Sequence, residues 1–191
     1  GEPLSESKII EIAQNVKIPC FVKPNTGGSS LGISRVESTS DLREAIELAF
    51  ETECISVLIE SLLDGREFSI GVVPDDNGLT IVLPITEIVT ENVFFDYEAK
   101  YEGASKEITP AQISSESTAL IKETALKATQ LFNCKGLVRV DVILVNGETP
   151  AVLEINSVPG FTKVSILPQQ LSCVGIGLPD IISRILNGIL A

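Results

Sequence analysis

The chain has no histidine, no tryptophan and no methionine. Without histidine there is no Ser–His or Cys–His pair to activate a nucleophile. The four cysteines, Cys20, Cys54, Cys134 and Cys173, include no Cys-x-x-Cys pair, so a structural zinc site has neither of its common donor patterns. Three stand among apolar neighbours, as in Pro19-Cys20-Phe21-Val22, and are expected as free, buried thiols of a reducing, cytoplasmic compartment. Cations are scarce: 14 Lys and Arg against 26 Asp and Glu give a net charge of −12. That balance argues against nucleic acid or an anionic membrane as a partner. It leaves an anionic nucleotide open, because a local pocket can be basic and a metal brings its own charge. No apolar run approaches the length of a membrane span, and Gly1-Glu2-Pro3-Leu4 does not begin a signal peptide. Without an initiator methionine the chain reads as a piece of something longer.

What is present is an ordinary globular composition, 44% apolar and 21% charged over 191 residues, enough for one large domain or two small ones. Periodicity predicts a helix over 7–16, a strand Cys20–Lys23 ending at Pro24, a loop 25–32 and a strand Ile33–Val36. A helix follows from about Ser40, with Asp41 and Glu44 spaced as a capping box and Leu42, Ala45, Ile46, Ala49 and Phe50 as its apolar stripe. Strands are expected at 56–60, 66–73 and 79–90, then a helix from 115 to 133 with Leu120, Ile121, Ala125, Leu126, Leu131 and Phe132 inward. A last helix runs from Pro179, carrying Ile181, Ile182, Ile185, Leu186 and Ile189. The pattern is α+β: residues 1–60 as a small α/β unit and 61–191 as a larger unit of antiparallel strands backed by helices. The stretch Glu60-Ser61-Leu62-Leu63-Asp64-Gly65 is the hinge between them.

Late in the chain, Val138–Leu144 and Val152–Asn156 alternate apolar and polar residues and flank Asn146-Gly147, a strong hairpin-turn signal. On a strand, alternate residues share a face. Arg139 and Asp141 therefore share one, as do Glu154 and Asn156. If the strands pair, two carboxylates, an amide and a guanidinium meet. Two adjacent carboxylates are unfavourable unless a cation lies between them, and hard oxygen ligands suit Mg²⁺ or Mn²⁺. A solvated hairpin face is the plainer alternative.

Earlier, Lys23 closes a buried-looking strand just before Asn25-Thr26-Gly27-Gly28-Ser29-Ser30-Leu31-Gly32. Such a loop can turn backbone N–H groups toward phosphate oxygens, although it is neither a Walker loop nor a dinucleotide fingerprint. A plain hairpin loop and an edge lysine reaching water are the alternatives. From Glu91 to about Ser114 periodicity is lost. An irregular stretch of that length is usually functional, and Phe94, Phe95, Tyr97 and Tyr101 are more aromatic than a solvent loop requires. We read 91–114 as a lid.

Phe21-Val22-Lys23-Pro24, Gly28-Ser29-Ser30-Leu31-Gly32, Glu60 and Glu67, Asp96-Tyr97-Glu98-Ala99-Lys100-Tyr101, Arg139-Val140-Asp141 and Glu154-Ile155-Asn156-Ser157-Val158-Pro159-Gly160-Phe161-Thr162 stand in fixed order. Together they resemble the D-alanine–D-alanine ligase family of the ATP-grasp superfamily, over nearly the whole chain from about residue 19. The resemblance implies two α/β subdomains with mainly antiparallel sheets clasping a nucleotide cleft. It also implies an ATP-dependent ligase that forms D-Ala-D-Ala through a D-alanyl phosphate, for peptidoglycan synthesis and cell wall biogenesis.

By the same resemblance, Lys23 contacts phosphate and Lys100 approaches the γ-phosphate. Glu60 and the backbone of Leu62 and Leu63 meet adenine, and Glu67 holds the ribose. Asp141, Glu154 and Asn156 hold two Mg²⁺ or Mn²⁺. Arg139 and the Gly160 N–H stabilise the oxyanion, Ser29 and Tyr101 shape the substrate pocket, and Ser165 and Ile166 bind the carboxylate of the second D-alanine. Tyr101 favours D-alanine over D-lactate as that second substrate. Val158 and Val164 stand where relatives often carry polar residues. The family's first domain, which supplies a glutamate for the first D-alanine, is expected before Gly1. The chain alone is therefore expected to bind nucleotide weakly, if at all, and not to ligate D-alanine; the full-length protein is expected to be a homodimer. Another ATP-grasp carboxylate–amine ligase and a non-catalytic nucleotide-binding module are the competing readings.

Overall fold

The computed structural model describes residues 4–28, 30–90 and 105–190. These fall into two compact units that meet in sequence between Leu63 and Asp64.

In the first unit, β1 (Cys20–Pro24) lies between β2 (Ser34–Val36) and β3 (Val57–Ser61), antiparallel to both. Two helices, α1 (Glu6–Asn15) and α2 (Leu42–Phe50), cover one face. α1 starts where the Ser5 hydroxyl accepts the Lys8 N–H at 3.3 Å, relieving one of the orphan donors of its first turn. Leu42, Ala45, Ile46 and Ala49 of α2 pack on Cys20, Val22 and Val36, while Phe50 is exposed. Strand alternation then sends Phe21 and Lys23 to the opposite face, which Glu60 shares through the Phe21↔Glu60 pairing. The expected capping box does not form. A short 3₁₀ turn (Thr39–Asp41) precedes α2, and the Asp41 carboxylate accepts from the hydroxyls of Ser38 and Ser40 instead.

In the second unit the long strand β4 (Gly65–Pro74) pairs along its length with β8 (Val138–Val145), which pairs in turn with β9 (Thr149–Asn156). The other edge of β4 is shared by β5 (Thr80–Val82) and β6 (Thr86–Thr90), and β7 (Ser105–Ile108) pairs with β6. Every described pairing is antiparallel. Phe68, Ile70 and Val72 of β4 and Val138, Val140, Val142 and Leu144 of β8 face α3 (Ser115–Leu131) through Ile121 and Ala125. Burying side chains of this size contributes about 1.5–3 kcal/mol each. On the other face Val73 and Leu83 pack against α4 (Ile166–Cys173) and α5 (Leu178–Leu190) through Leu167, Leu171 and Ile181.

Besides the capping box and the outward Phe50, further expectations need correction. The strand 79–90 is two strands, broken at Leu83-Pro84, because proline has no N–H for the ladder. The stretch 91–114 is not irregular throughout, since 105–108 forms β7 and Ser114 caps α3 by accepting the Ser117 N–H at 3.1 Å. Leu120, Leu131 and Phe132 point outward, as do Ile182 and Leu186: the buried positions of α3 are Ile121, Ala125 and Thr129, an i, i+4, i+8 stripe that excludes them. Finally α4 went unread, and the loop that leads into it from β9 carries Gly160 and Ser165. No helix among the described residues is long and apolar enough to cross a membrane.

Candidate functional site

The register of β8 and β9 places Arg139 opposite Asn156 and Asp141 opposite Glu154. A bulge follows at once: Val142 pairs with Val152, leaving Leu153 as the extra residue beside Glu154. All four polar side chains share the face that carries Glu67 and Ser69 on β4, away from the α3 core.

Asp141 is the centre of this group. Arg139 grips it through Nε, 3.0 and 3.2 Å from the two oxygens, and through Nη2, 2.8 Å from Oδ2. The Ser69 hydroxyl donates to Oδ1 at 2.7 Å and Asn156 Nδ2 donates to Oδ2 at 3.3 Å. The same Asn156 nitrogen donates to Glu154 Oε1 at 2.9 Å, and Arg139 Nη2 lies 3.5 Å from that oxygen. Burial differs sharply across the pair: the Asp141 side chain is 12% exposed and that of Glu154 56%. Burial is the largest influence on the Asp141 carboxyl and pushes its pKa above the ordinary range, with Glu154 adding to the rise and Arg139 and Ser69 opposing it. For Arg139 burial works against the charge, but Asp141, Glu154 and Glu107 outweigh it and hold the guanidinium above its usual value.

Two paired carboxylates and an amide on a half-open sheet face make a hard-oxygen donor set that fits Mg²⁺ or Mn²⁺. Two adjustments go with occupancy. Asn156 now shows both carboxylates its NH₂ group, and a rotation about its last torsion would present the oxygen instead. Arg139, the present counter-cation of Asp141, would cede part of its grip. Among the described residues no cluster of three or more His, Cys, Asp or Glu forms a metal site by itself, so a cation here would take its remaining ligands from the amide, from water or from substrate.

Of the other residues singled out, Glu67 is half-buried on the same face as Ser69 and Asp141. Gly160 and Ser165 lie in the loop from β9 into α4, where Ser165 Oγ accepts the Thr162 N–H at 3.1 Å and bonds the Thr162 hydroxyl at 2.9 Å. Ile166 opens α4. Val158 and Val164 of that loop are 91% and 81% exposed. In the first unit Lys23 already has an anionic partner, Glu60, at 2.5 Å. The Leu62 N–H donates to the Pro19 carbonyl at 3.0 Å, so any adenine contact through Leu62 uses its carbonyl. In the glycine loop Gly28 has open space where a side chain would sit. Gly32 is required, because at φ +73° its Cβ would lie 2.6 Å from Thr52 and 3.0 Å from Pro24. Ser29, Lys100 and Tyr101, with residues 91–104 of the lid, lie outside the described residues.

Sequence reading missed two residues. Ser69 supports Asp141, and its signal was its place two residues after Glu67 on one strand face. Gln170, fully buried, reaches three groups of the sheet, and nothing in its neighbourhood along the chain pointed to that.

Comparison with known proteins places these residues in a family. The family model described as D-ala D-ala ligase C-terminus matches residues 3–187. A D-alanine–D-alanine ligase of Flavobacterium johnsoniae is 50% identical over 179 residues, covering 94% of this chain and 54% of the relative. The VanG D-Ala:D-Ser ligase of Enterococcus faecalis superposes with a TM-score of 0.80 at 32% identity, covering 95% of this chain and 52% of that one. A Bacillus anthracis D-alanine–D-alanine ligase complexed with ATP superposes with a TM-score of 0.76 at 25% identity, covering 99% and 57%. The chain thus spans about half the length of the relatives it matches. Its two antiparallel sheets and their helices have the α+β architecture of the ATP-grasp ligases, and the chain belongs to the D-Ala–D-Ala ligase C-terminal family.

Proposed function

We propose that this chain is the nucleotide-binding and catalytic portion of a D-alanine–D-alanine ligase. ATP phosphorylates the carboxylate of one D-alanine, the amine of a second attacks the acyl phosphate, and ADP, phosphate and the dipeptide used in peptidoglycan are released. The observation that carries this reading is the Asp141–Glu154 cross-strand pair, flanked by Asn156 and Arg139, in a chain of this family.

In this reading Asp141, Glu154 and Asn156 hold two Mg²⁺ or Mn²⁺. The ions would neutralise phosphate charge and orient the transferring group. Ser69 fixes the rotamer of Asp141 from β4. Arg139, kept charged against burial by its carboxylate neighbours, stabilises the developing oxyanion together with the Gly160 N–H. Lys23 leaves Glu60 for a phosphate oxygen, while Glu60 and the Leu62–Leu63 backbone serve adenine and Glu67 the ribose. Lys100 neutralises the γ-phosphate. Ser29 and Tyr101 shape the substrate pocket, with Tyr101 favouring D-alanine as the second substrate, and Ser165 and Ile166 receive the carboxylate of that second D-alanine. Segment 91–114 excludes water from the acyl phosphate. Three names support the parts: the Bacillus anthracis relative was solved with ATP, the Flavobacterium relative is named for D-alanine on both sides, and the Enterococcus one for D-serine. The same reading makes the full-length protein a cytoplasmic homodimer.

The test is turnover by the full-length protein. With ATP, Mg²⁺ and D-alanine it should release one phosphate per D-Ala-D-Ala formed, and D-serine or D-lactate offered beside D-alanine should compete poorly. Preferential coupling of D-serine would reassign the second substrate. Absence of any D-alanine-dependent phosphate release would remove the ligase reading.

A further inference from the structure

Gln170 sits at a break in the sheet. One edge of β4 is covered by β6 from Glu67 to Ser69 and by β5 from Val72 to Pro74. Between them the neighbouring chain passes through Leu83-Pro84-Ile85, outside any strand, and gives β4 the Leu83 N–H, which donates to the Gly71 carbonyl at 2.9 Å. The Gln170 amide fills the gap. Its Oε1 accepts the Gly71 N–H at 2.9 Å, and its Nε2 donates to the Ser69 carbonyl and to the Thr86 hydroxyl, each at 2.9 Å. Gln170, Ser69 and Thr86 are all buried. β4 keeps a glycine at 71 for this contact, since a Cβ there would lie 2.6 Å from Gln170 Oε1.

Ser69, whose carbonyl Gln170 holds, gives its hydroxyl to Asp141. Gln170 also belongs to α4, whose first residues are Ser165 at the N-cap and Ile166. Its neighbour Gln169 secures the same helix on the other side, donating to Glu107 of β7 at 2.6 Å and to the Val164 carbonyl at 3.0 Å. One buried amide therefore fixes the start of α4 against the strand that orients the central carboxylate. Apolar packing of Leu167 and Leu171 alone leaves a helix free to slide by fractions of an ångström, whereas three directed hydrogen bonds in a dry interior do not.

We propose that Gln170 is a positioning residue for the second-substrate subsite: it sets the place of Ser165 and Ile166 relative to the Asp141 face. The assignment rests on the ligase reading above. The test uses Gln170→Leu, near in volume and unable to hydrogen-bond, and Gln170→Glu, which can restore all but one of the bonds when protonated. Both are made in the full-length protein and assayed below their melting temperatures. Gln170→Leu should raise KM for the second D-alanine by about tenfold while KM for ATP stays within about twofold, and Gln170→Glu should recover toward wild type as pH falls. Amide hydrogen exchange at residues 162–166 should accelerate by about tenfold in Gln170→Leu, with the α3 core amides unchanged. Unchanged second-substrate KM in folded variants, or equal loss of affinity for both substrates, would overturn the proposal. Should the wild type lack ligase activity, the functional reading falls, and the exchange experiment decides alone: exchange at 162–166 equal to wild type overturns the positioning role, and selective acceleration supports it.

Discussion

Asp141→Asn and Glu154→Gln should separate folding from metal binding, although the two carboxylates face each other across one strand pair. Asp141 is the acceptor for Ser69, Arg139 and Asn156 and is 12% exposed. Neutralising it strips the 22%-exposed Arg139 of its nearest ionic partner and leaves it the more exposed Glu154 at 3.5 Å. Breaking a buried pair from one side costs roughly 3–5 kcal/mol, and the remaining amide oxygen recovers part of that, leaving about 2–4 kcal/mol. Glu154 is 56% exposed and 3.5 Å from Arg139. Its attraction is worth at most about 1 kcal/mol in that setting, and removing it also removes repulsion with Asp141, so the net change is within about 0.5 kcal/mol. At roughly 2–4 °C per kcal/mol for a chain of this size, Asp141→Asn should melt about 5–15 °C below wild type and Glu154→Gln within about 2 °C. The assay is thermal unfolding of the chain followed by circular dichroism in EDTA, with the Mg-ATP arm run on the full-length protein. Both variants should lose the rise in melting temperature that Mg-ATP gives the wild type. Equal destabilisation of the two variants in EDTA, or a Mg-ATP shift retained by either, would refute the reasoning.

Gly71→Ala should destabilise the second unit by about 1–3 kcal/mol in urea titrations, because the new methyl would meet Gln170, Leu83 and Leu167 inside 3 Å; an unchanged midpoint would count against the Gln170 geometry. Ser114→Ala should cost about 1 kcal/mol, since it removes a working N-cap. Asp41→Ala should cost less than Ser114→Ala in the same titration, because Asp41 makes no cap bond. Burial raises the pKa of the Cys20 thiol, while Cys173 is exposed, so a thiol reagent near pH 8 should label Cys173 in the native protein and Cys20 only after unfolding. Rapid native labelling of Cys20, read by peptide mass spectrometry, would contradict the first unit's core.

The β8–β9 hairpin was legible because its information is local. Asn146-Gly147 marks the turn, and alternation within Arg139–Asp141 and within Glu154–Asn156 fixes which side chains share a face. What escaped depends on distant partners. Ser69 meets Asp141 across 72 residues of sequence and Gln170 meets Gly71 across 99, separations that no periodicity reports. α4 was hidden by Pro168 in its first turn and by its brevity, only eight residues. The β7 sequence, Ser-Lys-Glu-Ile, is too polar to read as a strand and is held by its pairing with β6. The Asp41–Glu44 spacing misled because Ser38 and Ser40 compete for the same carboxylate. Leu131 and Phe132 misled because apolar residues at a helix end need not lie on its buried stripe.

The central claim is that the Asp141–Glu154–Asn156 face is where the cation joins the nucleotide. Its most direct test is a Mn²⁺ titration of the full-length protein with ATP, followed by electron paramagnetic resonance. Wild type should sequester Mn²⁺ only when ATP is present, and Asp141→Asn and Glu154→Gln should each weaken that uptake by at least about tenfold, in line with losing one charged metal ligand. Undiminished ATP-dependent uptake in both variants would move the metal elsewhere and contradict the account.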